Sequence, residues 1–400
     1  MPCPLLRLVC SLLAANVVAC DPARQSGEFE QRPVLPSVTP LEAAVESFET
    51  SEAFAPIPGS ALELDALPAE RSELIILTGL MRSDSTEEGA VGIRFEIDGV
   101  ERGEAQSSSL LALNGGPLML FDLRQGPLPP QTLDTVLTRR SGTRAIVENL
   151  RIVAWPMPTA AILGFAEAVA PQQVPPDSTQ RTLSLEVDLR GGTGPFVALA
   201  SACPNEAPST SNVLLRWVDD QNQPYLSKEI QNIRDYFQCS TLAWELSATG
   251  PTATVVQEVV ATALDVPATV ATSRLVIFDL EQVPAVFRRQ RDRVNTTAVR
   301  VLQSESVVSG IIPAWLVFQG ALGRSAPRSI QFQVAGETIG SFNHTPSANV
   351  IDATYGAVSG WSGVALDRQA VQNLLVPSPD SGSSGASDSF IFILGIDPQF

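Results

Sequence analysis

Residues 182–203 read TLSLEVDLRGGTGPFVALASAC: an alternating run, a glycine-rich turn and an almost wholly apolar run. Leu183, Leu185 and Val187 recur with period two, the spacing of a strand that covers one face. The same order stands twice more in the chain. ALELDAL from Ala61 precedes ELIILTGLM from Glu73, and TAVRVLQS from Thr297 precedes AWLVFQGAL from Ala314. Beyond a polar turn each unit carries another alternating run: IRFEIDG at 93–99, LRWVDDQ at 215–221 and IQFQVAG at 330–336.

Working outward, each unit is expected to open on a phenylalanine-centred segment. These are VESFETSEAF at 45–54, ILGFAEAVAP at 162–171 and LVIFDLEQVP at 275–284. Each is expected to close on a strand next to a proline, in VENLRIVAWPMP, VQEVVATALDVP and FIFILGIDP. A period of about 115 residues exceeds that of solenoid repeats or propeller blades and suits a self-contained sandwich. The expected fold is therefore all-β, three tandem antiparallel sandwiches spanning 44–158, 159–267 and 268–400. In outline the units resemble the jelly-roll modules of bacterial surface proteins. Two domains of unequal size is the competing reading. Helical spacing appears in LSKEIQNIRDYFQ at 226–238 and, more briefly, in DRQAVQNLL at 367–375, and both are expected to be helices at a sandwich edge.

Composition excludes more than it assigns. The chain has 43 acidic and 26 basic residues, a net charge of -17, so no basic face is expected to meet nucleic acid. One histidine, His344, and one lysine, Lys228, leave little room for zinc sites, His-based catalysis or Schiff-base chemistry.

The amino terminus carries an address. Arg7 precedes an apolar run from Leu8 to Ala19, long enough for a signal segment and too short to span a bilayer as a helix. The run ends in Val17-Val18-Ala19-Cys20, which resembles the lipobox of bacterial lipoproteins. That resemblance implies a signal peptide over 1–19 and acylation of Cys20. It also implies an exported, membrane-anchored lipoprotein, periplasmic or on the cell surface. An ordinary cleaved secretory signal is the alternative. Residues 20–43 follow as an expected tether, rich in Pro, Gln, Ser and Glu, with a reach of roughly 25–30 Å as a flexible coil. With Cys3 and Cys10 in the signal and Cys20 lipidated, Cys203 and Cys239 are left and are expected to form a disulfide. Two unpaired buried thiols are the alternative.

Chemistry-bearing motifs are few. Asp380-Ser381-Gly382 spells the aspartic-protease triplet, but it sits in VPSPDSGSSGASDS without a second copy, and a loop is expected. Asp380 and Asp388 do not supply the converging oxygens that calcium needs, although a structural calcium ion stays open; no cofactor is expected. Asp219-Asp220 reads as a turn, and His344 in FNHTPS as a surface loop. Trp155, Trp217, Trp244 and Trp315 read as core, whereas Trp361, among glycines in YGAVSGWSGVALD, and Tyr355 form the candidate ligand platform. The expected function is a non-enzymatic envelope lipoprotein with a binding or structural role, recognising a glycan or an envelope protein. An exported carboxylate-based hydrolase is the alternative.

Overall fold

The computed structural model describes residues 41–396, apart from 84–89, 109–115, 140–141, 143, 190–194, 206–211, 232–239, 247–249, 263–266, 284, 291–293, 307–311, 322–327, 345–353, 362–369 and 378–383. The described residues are strands and turns, with a single 3-10 turn at Thr159–Ala161. The expected signal, lipobox and most of the tether lie outside them. Residues 41–43, expected in the tether, belong to the first strand.

The first sandwich comprises β1 (Leu41–Thr50), β2 (Phe54–Pro56), β3 (Leu62–Leu64), β4 (Arg71–Ser83), β5 (Ala90–Ile97), β6 (Val100–Ser108), β7 (Gly116–Gln125), β8 (Gln131–Arg139) and β9 (Ala145–Pro158). Its sheets run β1-β9-β4-β7 and β2-β8-β5-β6, with β3 also on β8. The second has β10 (Ile162–Ala168), β11 (Gln172–Val174), β12 (Ser178–Asp188), β13 (Phe196–Asn205), β14 (Asn212–Val218), β15 (Pro224–Gln231), β16 (Ser240–Leu246), β17 (Thr252–Thr262) and β18 (Ala268–Asp279). Its sheets run β10-β18-β13-β16 and β12-β17-β14-β15, with β11 on β18. The third has β19 (Ala285–Gln290), β20 (Val294–Thr296), β21 (Arg300–Ser306), β22 (Ile312–Ala321), β23 (Arg328–Val334), β24 (Glu337–His344), β25 (Thr354–Trp361), β26 (Ala370–Pro377) and β27 (Ser384–Ile396). Its sheets run β19-β27-β22-β25 and β21-β26-β23-β24, with β20 on β27. All pairings are antiparallel and the strand order is the same three times: the chain is three tandem jelly-roll sandwiches.

This order explains why alternating and apolar runs take turns in the sequence. Strands β4 and β18 are buried along nearly their whole length, and β9 over Ile152–Met157. Their sheets are covered on both faces, which removes the need for a polar side. Along β4, Ile75, Leu77 and Met81 face the core of the first sandwich. Leu74 and Ile76 face outward into a second cluster that takes in residues of all three sandwiches. There Phe392 of β27 meets Trp155 of β9 at 6.3 Å and Phe278 of β18 at 5.4 Å between ring centroids. Three last strands thus meet through one aromatic side chain each. Polar contacts bind the same seams: Thr78 and Ser359 share a 2.9 Å hydrogen bond between β4 and β25, and Thr241 of β16 donates to the Met119 carbonyl of β7.

A second repeated device sits inside each sandwich. The strand beside β8, β17 or β26 is broken, by the gap between β2 and β3 or by bulges at 181/183 and 301/303. A bulge leaves backbone groups without ladder partners, so buried polar side chains collect there. Thr135 donates to Ser60, Gln257 to Thr182 and to Ser273, and Asn373 to Gln303.

Several expectations are corrected. The LVIF run at 275–278 does not open the third sandwich: it lies in β18, paired with β10 and β13 of the second. The division expected at 267/268 therefore moves beyond Asp279, and VQEVVATALDVP supplies the penultimate strand, β17, rather than the last. Residues 226–231 are not helical but extend β15, with Leu226 opposite Trp217, and the rest of that segment lies outside the described residues. Residues 370–377 form β26, laddered on both sides by β21 and β23. His344 ends a strand, β24, opposite Arg328, rather than lying in a loop. Trp155, Trp217, Trp244 and Trp315 are buried.

Candidate functional site

A pocket of about 450 Å³ opens between the first and second sandwiches. Its rim begins at the β5–β6 hairpin, where Asp98 and Gly99 both take positive φ, the conformation of a tight Asp-Gly hairpin turn. The Asp98 carboxylate accepts from the Thr132 backbone N–H at 2.8 Å and from Gln131 Nε2 at 3.0 Å. These bonds hold the carboxyl below its ordinary range. Across the pocket, Phe165 and Glu167 project from β10 of the second sandwich.

Between these walls lies a cluster of four charges. Arg102 of β6 donates from Nε to Asp122 Oδ2 of β7 at 2.8 Å, and from Nη2 to Glu167 at 3.1–3.2 Å. Arg274 of β18, fully buried, brings Nε to 3.2 Å from Asp122 Oδ1 and donates from Nη2 to the Arg102 carbonyl. Its guanidinium lies 5.5 Å from the centroid of the Phe95 ring, within cation–π range. Asp122 Oδ1 also accepts from the Leu123 N–H at 2.9 Å. The hydrogen bond to Asp122 raises the Arg102 pKa, while burial lowers that of Arg274 against the pull of Asp122 and Glu167. The cluster joins two sandwiches, because Asp122 and Arg102 belong to the first and Glu167 and Arg274 to the second.

Arg124, also on the lining, is engaged at each nitrogen. It pairs with buried Glu73 through Nη1 and donates from Nε to Gln131 Oε1 at 3.0 Å and from Nη2 to the Asp65 carbonyl at 3.2 Å. Burial pushes the Glu73 carboxyl above its ordinary range, against the opposing pull of Arg124. Both arginines of the lining are thus neutralised by carboxylates, and the arrangement works as an ionic clamp beneath an open pocket. Among the described residues no group of three His, Cys, Asp or Glu side chains is placed to hold a metal ion. Among them no helix is long and apolar enough to cross a membrane.

The residues expected from sequence lie elsewhere. Tyr355 and Trp361 are both on β25, opposite Gly320 and Ala314 in the ladder to β22; their side chains lie outside the described residues. Cys203 is buried on β13 next to its bulge, whereas Cys20, Cys239 and the Asp380 triplet lie outside the described residues. Asp388 is on β27. Asp219 forms the expected turn, accepting from the N–H groups of Gln221 and Gln223. Sequence reasoning missed the clamp. The signal for it was a charge inside an apolar strand, Asp122 in LMLFDLR and Arg274 in SRLVIF, since a buried charge requires a partner.

No protein-family model matches the chain, and no curated protein matches its sequence. Among solved structures it is similar to a chain from the triple jelly roll fold and turret assembly of an archaeal virus. That match has 11% identity over 84% of this chain and 81% of that one, with a TM-score of 0.21. It is also similar to the N-terminal CBM22-1-CBM22-2 tandem domain of Xyn10C from Paenibacillus barcinonensis (9% identity, 62% and 99% of the two chains, TM-score 0.20). A third match is an isomalto-dextranase of Arthrobacter globiformis T6, complexed with panose (10%, 56% and 36%, TM-score 0.19).

Proposed function

We propose that this chain is an exported lipoprotein, anchored through Cys20, that acts in the cell envelope as a non-enzymatic binding or structural protein recognising a glycan or another surface protein. The observation that carries the binding role is the pocket between two sandwiches, whose charges are engaged with one another rather than poised for proton transfer. The anchor is supported by the apolar run to Ala19 followed at once by Cys20. A Cys203–Cys239 disulfide belongs to this reading: Ala202 pairs with Ser240, Cys203 follows Ala202 in sequence and Cys239 precedes Ser240.

Palmitate labelling of the expressed chain tests the anchor. Label is expected in the wild type and absent from Cys20→Ser; equal uptake by the mutant contradicts it. Envelope pull-down with the exported chain tests the role. Specific retention of one surface glycan or protein is expected, and turnover of a captured glycan would overturn the non-enzymatic reading.

A further inference from the structure

The geometry points to the pocket between the first and second sandwiches as the binding site for an uncharged, polyhydroxylated ligand, a short neutral oligosaccharide. This rests on the glycan half of the proposed function and goes beyond it by placing the site and fixing the charge of the ligand. Charge comes first. An anion needs an uncompensated cation, yet Arg102 is held by Asp122 and Glu167, and Arg124 by Glu73. A cation would need an uncompensated carboxylate. Asp98 is the one lining carboxylate without an ion pair in the set just described, and its oxygens already accept from Thr132 N–H and Gln131 Nε2. An anion is therefore disfavoured by the carboxylates already paired with the arginines, and a cation would meet in Asp98 a carboxylate whose oxygens are already hydrogen-bonded.

Hydrogen-bonding capacity and shape then select hydroxyl groups. A carboxylate offers about four lone-pair sites, and half-exposed Glu167 uses only part of them on Arg102 and Arg274. Gln125, exposed at the pocket edge, both donates and accepts. Apolar side chains share the lining with these groups: Phe165 from β10, Ile97 and Val100 from the β5–β6 hairpin, and Leu128. A sugar ring has the same mixed character, with apolar C–H faces and a rim of hydroxyls. The volume lies in the range of about 300–1,000 Å³ typical of small-ligand sites.

Calorimetric titration of the exported chain with short neutral oligosaccharides, and with uronic-acid and amino-sugar counterparts, tests the inference. Two variants are compared. Val100→Trp fills the pocket mouth from a side chain that is 61% exposed, so the fold is left intact. Phe165→Ala removes the apolar wall, with unfolding followed in parallel. The expected result is binding of a neutral oligosaccharide that weakens about tenfold or more in both variants. No binding of any neutral sugar overturns the site, while surface-protein capture in the pull-down would leave the broader function standing. Sugar binding unchanged by Val100→Trp also overturns the site and places recognition elsewhere. Preference for charged counterparts overturns the charge argument.

Discussion

Arg274 is a guanidinium with no solvent exposure, and Asp122 is the carboxylate that makes its burial tolerable. Removing one partner of a buried pair leaves an uncompensated charge, which costs about 3–5 kcal/mol. Asp122→Ala is expected to lower stability by that amount in denaturant unfolding, and Arg274→Met in the same background to recover most of it. Failure of the second change to recover stability would contradict the clamp. Glu73 gives a pH signature of opposite sense to an ordinary salt-bridged carboxylate. Its folded pKa is raised by burial, so the folded state holds the proton to higher pH than the unfolded state does. Its contribution is full below the unfolded pKa and is lost as pH rises through the folded one. Relative to Glu73→Gln, wild-type stability is therefore expected to fall as pH rises above about 4.3. A difference that grows with pH would reverse the assignment. These residues were hidden in the sequence because the clamp draws on positions 102, 122, 167 and 274, in four strands of two sandwiches. Only the lone charges inside apolar runs betrayed it.

At the scale of strands, alternation and apolar runs were legible because the two sheets of each sandwich have different surroundings. Strands with one wet face alternate, and strands covered twice do not. The same continuity caused the misreading of β18: a doubly buried strand carries no mark of which sandwich it closes. Residues 226–231 misled for another reason. Leu226 and Ile230, four apart, satisfy a helix face and a strand face alike, and the ladder to β14 decides between them. The break-and-bridge device offers a test at this scale. Gln257 Nε2 donates to Thr182 Oγ1 at 2.9 Å and to Ser273 Oγ at 2.7 Å in a fully buried setting. Gln257→Leu leaves both hydroxyls without this donor and is expected to cost about 1–3 kcal/mol. Combination with Thr182→Val is expected to cost less than the sum of the single changes. Strict additivity by denaturant titration would show that the bridge is not a unit.

Taken whole, Ser37–Pro398 forms one compact body in which the three sandwiches share an apolar cluster. Phe392 stands at its junction, touching Trp155 of the first sandwich, Phe278 of the second and Phe287 of the third. Truncating such a buried aromatic costs about 3–5 kcal/mol, and a shared core distributes that loss over all three units. Tandem domains on short linkers would instead unfold one by one. Scanning calorimetry of the full chain, wild type beside Phe392→Ala, decides between them. One transition with equal calorimetric and van't Hoff enthalpies is predicted, displaced as a unit to lower temperature by the mutation. Separate transitions, with only the third sandwich shifted by Phe392→Ala, would contradict a single body built from three jelly rolls.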